Sequence, residues 1–138
     1  MTDFLTGYVV AAGGDLAGDP GLKASRQSTG GALSVFETSI GGGPPLHVHD
    51  HDDECFYVLD GALSVRCGAD EFDAAPGSFV FLPHGRPHRF WATGGQARLL
   101  LIAVPAGIED YFREINAASS DADRVRIGER YAIRVVPD

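Results

Sequence analysis

Apolar residues come along this chain in short alternating runs cut by glycine and proline, the rhythm of an all-β barrel or sandwich. GALSVFETSI (31–40) sets Leu33, Val35 and Glu37 against Ser34, Phe36 and Thr38, the period of two expected of a half-buried strand. FLTGYVV (4–10) and LKASRQS (22–28) read as earlier strands around a Gly/Asp/Pro loop at 11–21. CFYVLDGALSVRC reads as a hairpin turning at Asp60-Gly61, because such a turn needs positive φ and glycine takes it freely. That turn pairs Val58 with Leu63, Phe56 with Val65 and Glu54 with Cys67, so Cys67 is predicted to point inward beside Glu54 and Cys55 outward with Tyr57. EFDAAP, SFVFLP, RPHRFWATG and ARLLLIAVPA supply further strands. After Pro105 the period changes. Ile108, Tyr111, Phe112 and Ile115 make one stripe of a helix, Ser120-x-x-Asp123 caps a second, and Tyr131, Ile133 and Val135 alternate as a closing strand.

Composition narrows the picture. A chain of 138 residues with no internal repeat reads as a single domain spanning 1–138. Its net charge of −8, without a Lys/Arg cluster, predicts no nucleic-acid and no anionic-membrane partner. The opening MTDFLTGYVVAAGG lacks a basic start and apolar core, so no signal peptide is expected, and no apolar run approaches the roughly 20 residues of a membrane span. Two cysteines predicted on opposite strand faces argue against a disulfide and fit a reducing, cytoplasmic location.

Chemistry concentrates between Gly41 and Gly61. His47 and His49 are two apart, so on a strand both imidazoles project from one face, and Glu54 follows five residues later. Two imidazoles and a carboxylate are three legs of a metal site, and His88 in GSFVFLPHGRPHRFWA offers a fourth. Such a set suits one divalent first-row transition metal ion, whether iron, manganese, nickel, copper, cobalt or zinc, and ligand type does not choose among them. His51 lies on the same alternation and is assigned to the rim; His84 sits between turn residues and is expected to be exposed. Phe56, Val58, Phe90 and Ala92 fall on inward positions as barrel filling that also lines the pocket, with Cys67 beside the metal ligands.

These residues carry a resemblance. Gly41, His47, His49, Glu54 and Gly61 satisfy G-x5-H-x-H-x4-E-x6-G, and Gly77, Pro83, Gly85 and His88 satisfy G-x5-P-x-G-x2-H-x3-N up to its last place, where Ala92 stands for Asn. The chain resembles single-domain cupins, most of all the bacterial quercetinase-like monocupins, over about residues 30–105 and more loosely through YAIRVVPD. The resemblance implies a cupin (double-stranded β-helix, jelly-roll) barrel, with 106–138 as a helical segment and closing strand. It also implies a dioxygenase acting on a small enol- or phenol-type organic molecule, with dioxygen as second substrate and Glu54 as the catalytic base. Ala92 removes a polar contact inside the barrel, which loosens the transfer of any one substrate. Two other readings share the ligands: a non-oxidative zinc-type cyclase, isomerase or decarboxylase, and a non-catalytic cupin that binds metal and a small ligand. Because a small barrel exposes strand edges, a homodimer through the N-terminal strands is expected.

Overall fold

The computed structural model describes residues 5–138. Alternation of apolar and polar side chains lets a strand bury one face, and ten strands among these residues form two five-stranded antiparallel sheets. One sheet runs β1 (Leu22–Ala24), β2 (Ser34–Ile40), β9 (Ala97–Val104), β4 (Asp53–Asp60), β7 (Phe79–Leu82). The other runs β10 (Ile133–Val135), β3 (His47–His49), β8 (His88–Ala92), β5 (Leu63–Cys67), β6 (Asp70–Ala74). Their inner faces share one apolar cluster, with Phe56, Val58, Leu82 and Leu99 from the first meeting Leu63, Val65 and Phe90 from the second. The Phe56 and Phe90 rings meet edge to face with centroids 4.4 Å apart. This is the all-β architecture expected from the alternation, in the jelly-roll form that the resemblance implies.

Two helices close one end. α2 (Ile108–Asn116) buries Ile108 and sets Phe112 edge-on to Phe36 at 5.6 Å, so its apolar stripe packs on the barrel. Ser120 caps α3 (Asp121–Arg130) by accepting from the Asp123 amide, as its sequence predicts. Tyr131 ends that helix, and the closing strand is only β10.

Three expectations are corrected. Residues 5–10 form no strand: Tyr8 ties this arm to the Lys23 carbonyl and the Ser28 hydroxyl through its side chain, and Phe4 lies outside the described residues. The run 22–28 is strand only to Ala24, because Ser25 and Ser28 form a reciprocal capping box that starts α1 (Arg26–Thr29). The hairpin at Asp60-Gly61 does not form. Gly61 does turn the chain at φ +74°, but β4 pairs with β9 and β7 while β5 pairs with β6 and β8, so the arms enter different sheets. The groups that a hairpin would use are taken elsewhere, the Ala62 carbonyl by the Thr93 amide and the Asp60 register position by Arg98. Cys67 therefore stands opposite His88, not Glu54; its inward direction survives because residues opposed in a ladder share a face.

Candidate metal centre

Each candidate donor is placed by backbone that the two glycine-rich segments shape. Gly43, at φ +72°, lets the chain pass so close to β8 that a Cβ there would land on the Phe90 carbonyl oxygen. The chain then enters β3, where His47 is the register partner of His88 on β8. The segments are joined again where the Gly85 amide donates to the His49 carbonyl and the Ala92 amide to that of Gly41, both at 2.8 Å. Glu54 comes from the facing sheet, on β4 between Leu82 and Ala103. Three imidazoles of one sheet thus meet one carboxylate of the other.

One donor atom from each residue can be chosen so that all four lie within 4.8 Å of one another. Nε2 of His47 is 3.1 Å from Nε2 of His49, and Oε1 of Glu54 is 3.2 Å from Nε2 of His88 and 3.9 Å from Nε2 of His49. Donors about 2.1 Å from a shared centre would stand about 3.0 Å apart at right angles and about 4.2 Å apart across it, so these spacings fit a first-row ion. The four residues are 7%, 3%, 2% and 1% exposed for His47, His49, Glu54 and His88. His47 Nδ1 donates to the Pro45 carbonyl at 2.8 Å, which fixes the tautomer and leaves the Nε2 lone pair inward. The Nδ1 atoms of His49 and His88 have no partner among the described residues, so those rings are held by packing and by their Nε2 contacts with His47 and Glu54.

The charge balance also suits a cation. Burial pushes His47 down to about 4, with the neighbouring His88 adding to the shift. Burial likewise lowers His49, against the opposing pull of Glu54. Burial alone would raise Glu54, but the hydrogen bond from His88 and the nearby imidazoles outweigh it and hold the carboxyl below its ordinary value. His47 and His49 are thus held neutral beside a buried carboxylate, the protonation state that ligation requires of them.

The remaining sequence candidates take distinct places. Phe56, Val58, Phe90 and Ala92 are 0–6% exposed and belong to the apolar cluster, with Cys67 half-buried against it. His51 is exposed, and with Asp52 lines a cavity of about 250 Å³ bounded by Ile108, Tyr111, Arg130 and Tyr131. His84 is exposed and pinned by Asp53, whose Oδ1 accepts from its backbone amide and meets Nδ1 at 2.8 Å. Asp50 pairs with Arg134, so the acidic loop is tied down at both ends. Trp91 stacks under the Arg89 guanidinium, 4.9 Å from the ring centroid.

Sequence reasoning missed Tyr111 as a neighbour of the centre. Its phenol is raised by burial and, secondarily, by the charge of Glu54, and it lines the same cavity as His51. The helical stripe contained it, but a stripe reports only that a face is covered. A larger cavity, about 410 Å³ around Arg26, Glu109 and Arg113, lies between α1 and α2, and neither cavity is lined by any of the four donors.

Comparison with known proteins gives concordant results. The family described as "Cupin domain" matches residues 34–105. A quercetin 2,3-dioxygenase from Bacillus subtilis is 26% identical over 122 residues, 83% of this chain and 36% of that protein. The oxidoreductase iacF of Pestalotiopsis fici is 32% identical over 78 residues, 54% of this chain and 38% of that protein. The chain thus spans well under half the length of either curated relative. Among solved structures, a Salmonella typhimurium LT2 protein named for ethanolamine utilization superposes with a TM-score of 0.53 at 26% identity, covering 62% of this chain and 68% of its own.

Proposed function

The chain belongs to the cupin family, and from that premise we propose that it is a metal-dependent dioxygenase of a small enolic or phenolic compound. The observation that carries this reading is the buried carboxylate within donor distance of the imidazoles. His47, His49, Glu54 and His88 would hold the ion, which would supply a coordination position for a substrate oxygen and the electron exchange that dioxygen chemistry needs. Likeness to a quercetin 2,3-dioxygenase and to an oxidoreductase supports the oxidative direction.

The chain's own groups then divide the work. Glu54, ionised beside His88, takes the hydroxyl proton of the bound enol or phenol at a carboxylate oxygen, which makes the ring or chain carbon electron-rich. Pro45 keeps the His47 ring aimed by holding its Nδ1 proton. Phe56 and Phe90 keep water from the inner side of the centre, and Cys67 stands next to His88 as a small apolar neighbour. Both oxygen atoms enter the product, so no separate reductant is required.

The test is dioxygen uptake by metal-reconstituted protein across flavonols, catechols and β-diketones. Uptake with at least one class, abolished in Glu54→Gln, is expected. No uptake with any metal and any class sinks the oxygenase reading.

One observation favours a second reading. The four donors are almost sealed from solvent, and neither cavity reaches them. A cupin that holds its metal for structure or for binding a small ligand would have this enclosure. Tight ligand binding without turnover under any metal would select it.

A further inference from the structure

The cavity of about 250 Å³ is walled by segments that adjoin the four donors. His51 and Asp52 lie in the link between β3 and β4, two residues past His49 and two before Glu54. Ala132 precedes Ile133, the register partner of His49, and its carbonyl accepts from the Asp50 amide at 2.8 Å. Ile108 and Tyr111 come from α2, and both also pack on the apolar cluster inside the barrel. The Tyr111 ring rests against that of Tyr131, with centroids 5.7 Å apart, and the charge of Glu54 reaches its phenol. Tyr111 therefore belongs both to the cavity and to the surroundings of the centre.

Size and lining restrict what this cavity can hold. At an interior packing density of about 0.75 it admits roughly 190 Å³ of ligand, about a dozen non-hydrogen atoms. One ring with its substituents has about that many, and a three-ring flavonol about twice as many. Ala106, Ile108 and Ala132 offer an apolar surface to such a ring. The guanidiniums at the rim are already neutralised, Arg130 by Glu114 and Arg26 by Asp110, and the Tyr131 hydroxyl also donates to Glu114. That leaves His51, Asp52 and Tyr111 to meet a guest: a carboxylate that accepts, and an imidazole and a phenol that donate or accept. Such a set repels an anion and recognises hydroxyl groups.

We propose that this cavity selects the substrate, that it takes a neutral single-ring compound with two neighbouring hydroxyl groups, and that Tyr111 sets the specificity by bonding one of them. The inference rests on the dioxygenase reading above and narrows it. One hydroxyl is needed to give its proton to Glu54, and the second gives the phenol of Tyr111 its partner. None of the four donors lines the cavity, so the Tyr111 ring has to turn for the first hydroxyl to reach Glu54. A flavonol overfills the space and is rejected by size.

Calorimetric titration of zinc-loaded protein tests it, because zinc exchanges no electron and binding is read apart from turnover. The wild-type chain should bind catechol about tenfold more tightly than phenol, the worth of one hydrogen bond, and Tyr111→Phe should erase that preference. Quercetin should bind at least about tenfold more weakly than catechol. Ala106→Trp, which fills the cavity, should abolish catechol binding with zinc content unchanged. No catechol binding, quercetin bound as tightly as catechol, or a preference for catechol that survives in Tyr111→Phe each overturns the proposal. Should Ala106→Trp fail to fold, the Tyr111→Phe comparison decides alone. Dioxygen uptake is scored separately: uptake without the expected binding pattern overturns this inference and leaves the dioxygenase reading standing. The binding pattern without uptake under any metal sinks that reading and leaves the cavity as a site for a bound hydroxylated ring.

Discussion

At the scale of single residues, the centre depends on protonation. In chelator-treated protein, His47 is held neutral by burial, with a folded value of about 4 against an ordinary 6.5. Both folded and unfolded chains carry it neutral above 6.5, so no stability is lost there. As pH falls from 6.5 toward 4 only the unfolded chain gains the proton, and the native state loses up to about 3 kcal/mol from this one side chain. Thermal melts of chelated protein should therefore fall in midpoint between pH 7 and 4.5; an unchanged midpoint would mean that His47 is not buried neutral. Glu54→Gln keeps the shape and removes the proposed base. Dioxygen uptake should drop at least about 100-fold, and a smaller loss would assign the proton to another group. The gathering of these side chains was legible because ligand spacing is a local property: His47, His49 and Glu54 are within eight positions of one another, and strand alternation fixes their direction. Tyr111 was not legible, since it reaches the neighbourhood of Glu54 only through the docking of α2.

At the scale of elements, the turn at Gly61 shows what local chemistry leaves open. Asp-Gly specifies a sharp reversal, and the chain does reverse there. Whether the two arms pair with each other is decided by competing ladders, β9 for one and β8 for the other, contributed by residues more than thirty positions later for β9. At β1 the reason is local instead: a serine capping box between Ser25 and Ser28 ends the strand read over 22–28 and starts a helix. The start of α3 was readable because its Ser120 cap acts within four residues. Ser120→Ala should cost about 1 kcal/mol through loss of the bond to the Asp123 amide, measured by denaturant unfolding. Gly43→Ala is more damaging. It combines a left-handed backbone with a Cβ driven into the Phe90 carbonyl, so a loss of at least about 2 kcal/mol is expected, with reduced metal content as β3 shifts.

At the scale of the whole molecule, the class of fold followed from periodicity and glycine placement, while the division of strands between two sheets did not, because sheet membership is set by long-range pairing. Bound metal should stabilise the fold by mass action: at a free concentration a hundredfold above the dissociation constant the gain is about 2.7 kcal/mol, or roughly 5–10 °C for a chain of this size. Calorimetry with and without chelator checks this, and identical melts would deny the centre its ion.

The split of the donors between the two sheets has a kinetic consequence. An ion held by three imidazoles of one sheet and a carboxylate of the other, all nearly inaccessible, cannot leave by a side-chain rotation. Its departure has to wait for the barrel to breathe. Isotope exchange of the bound metal should accordingly be slow, insensitive to the concentration of competing chelator, and accelerated by mild denaturant in step with the opening of the core amides.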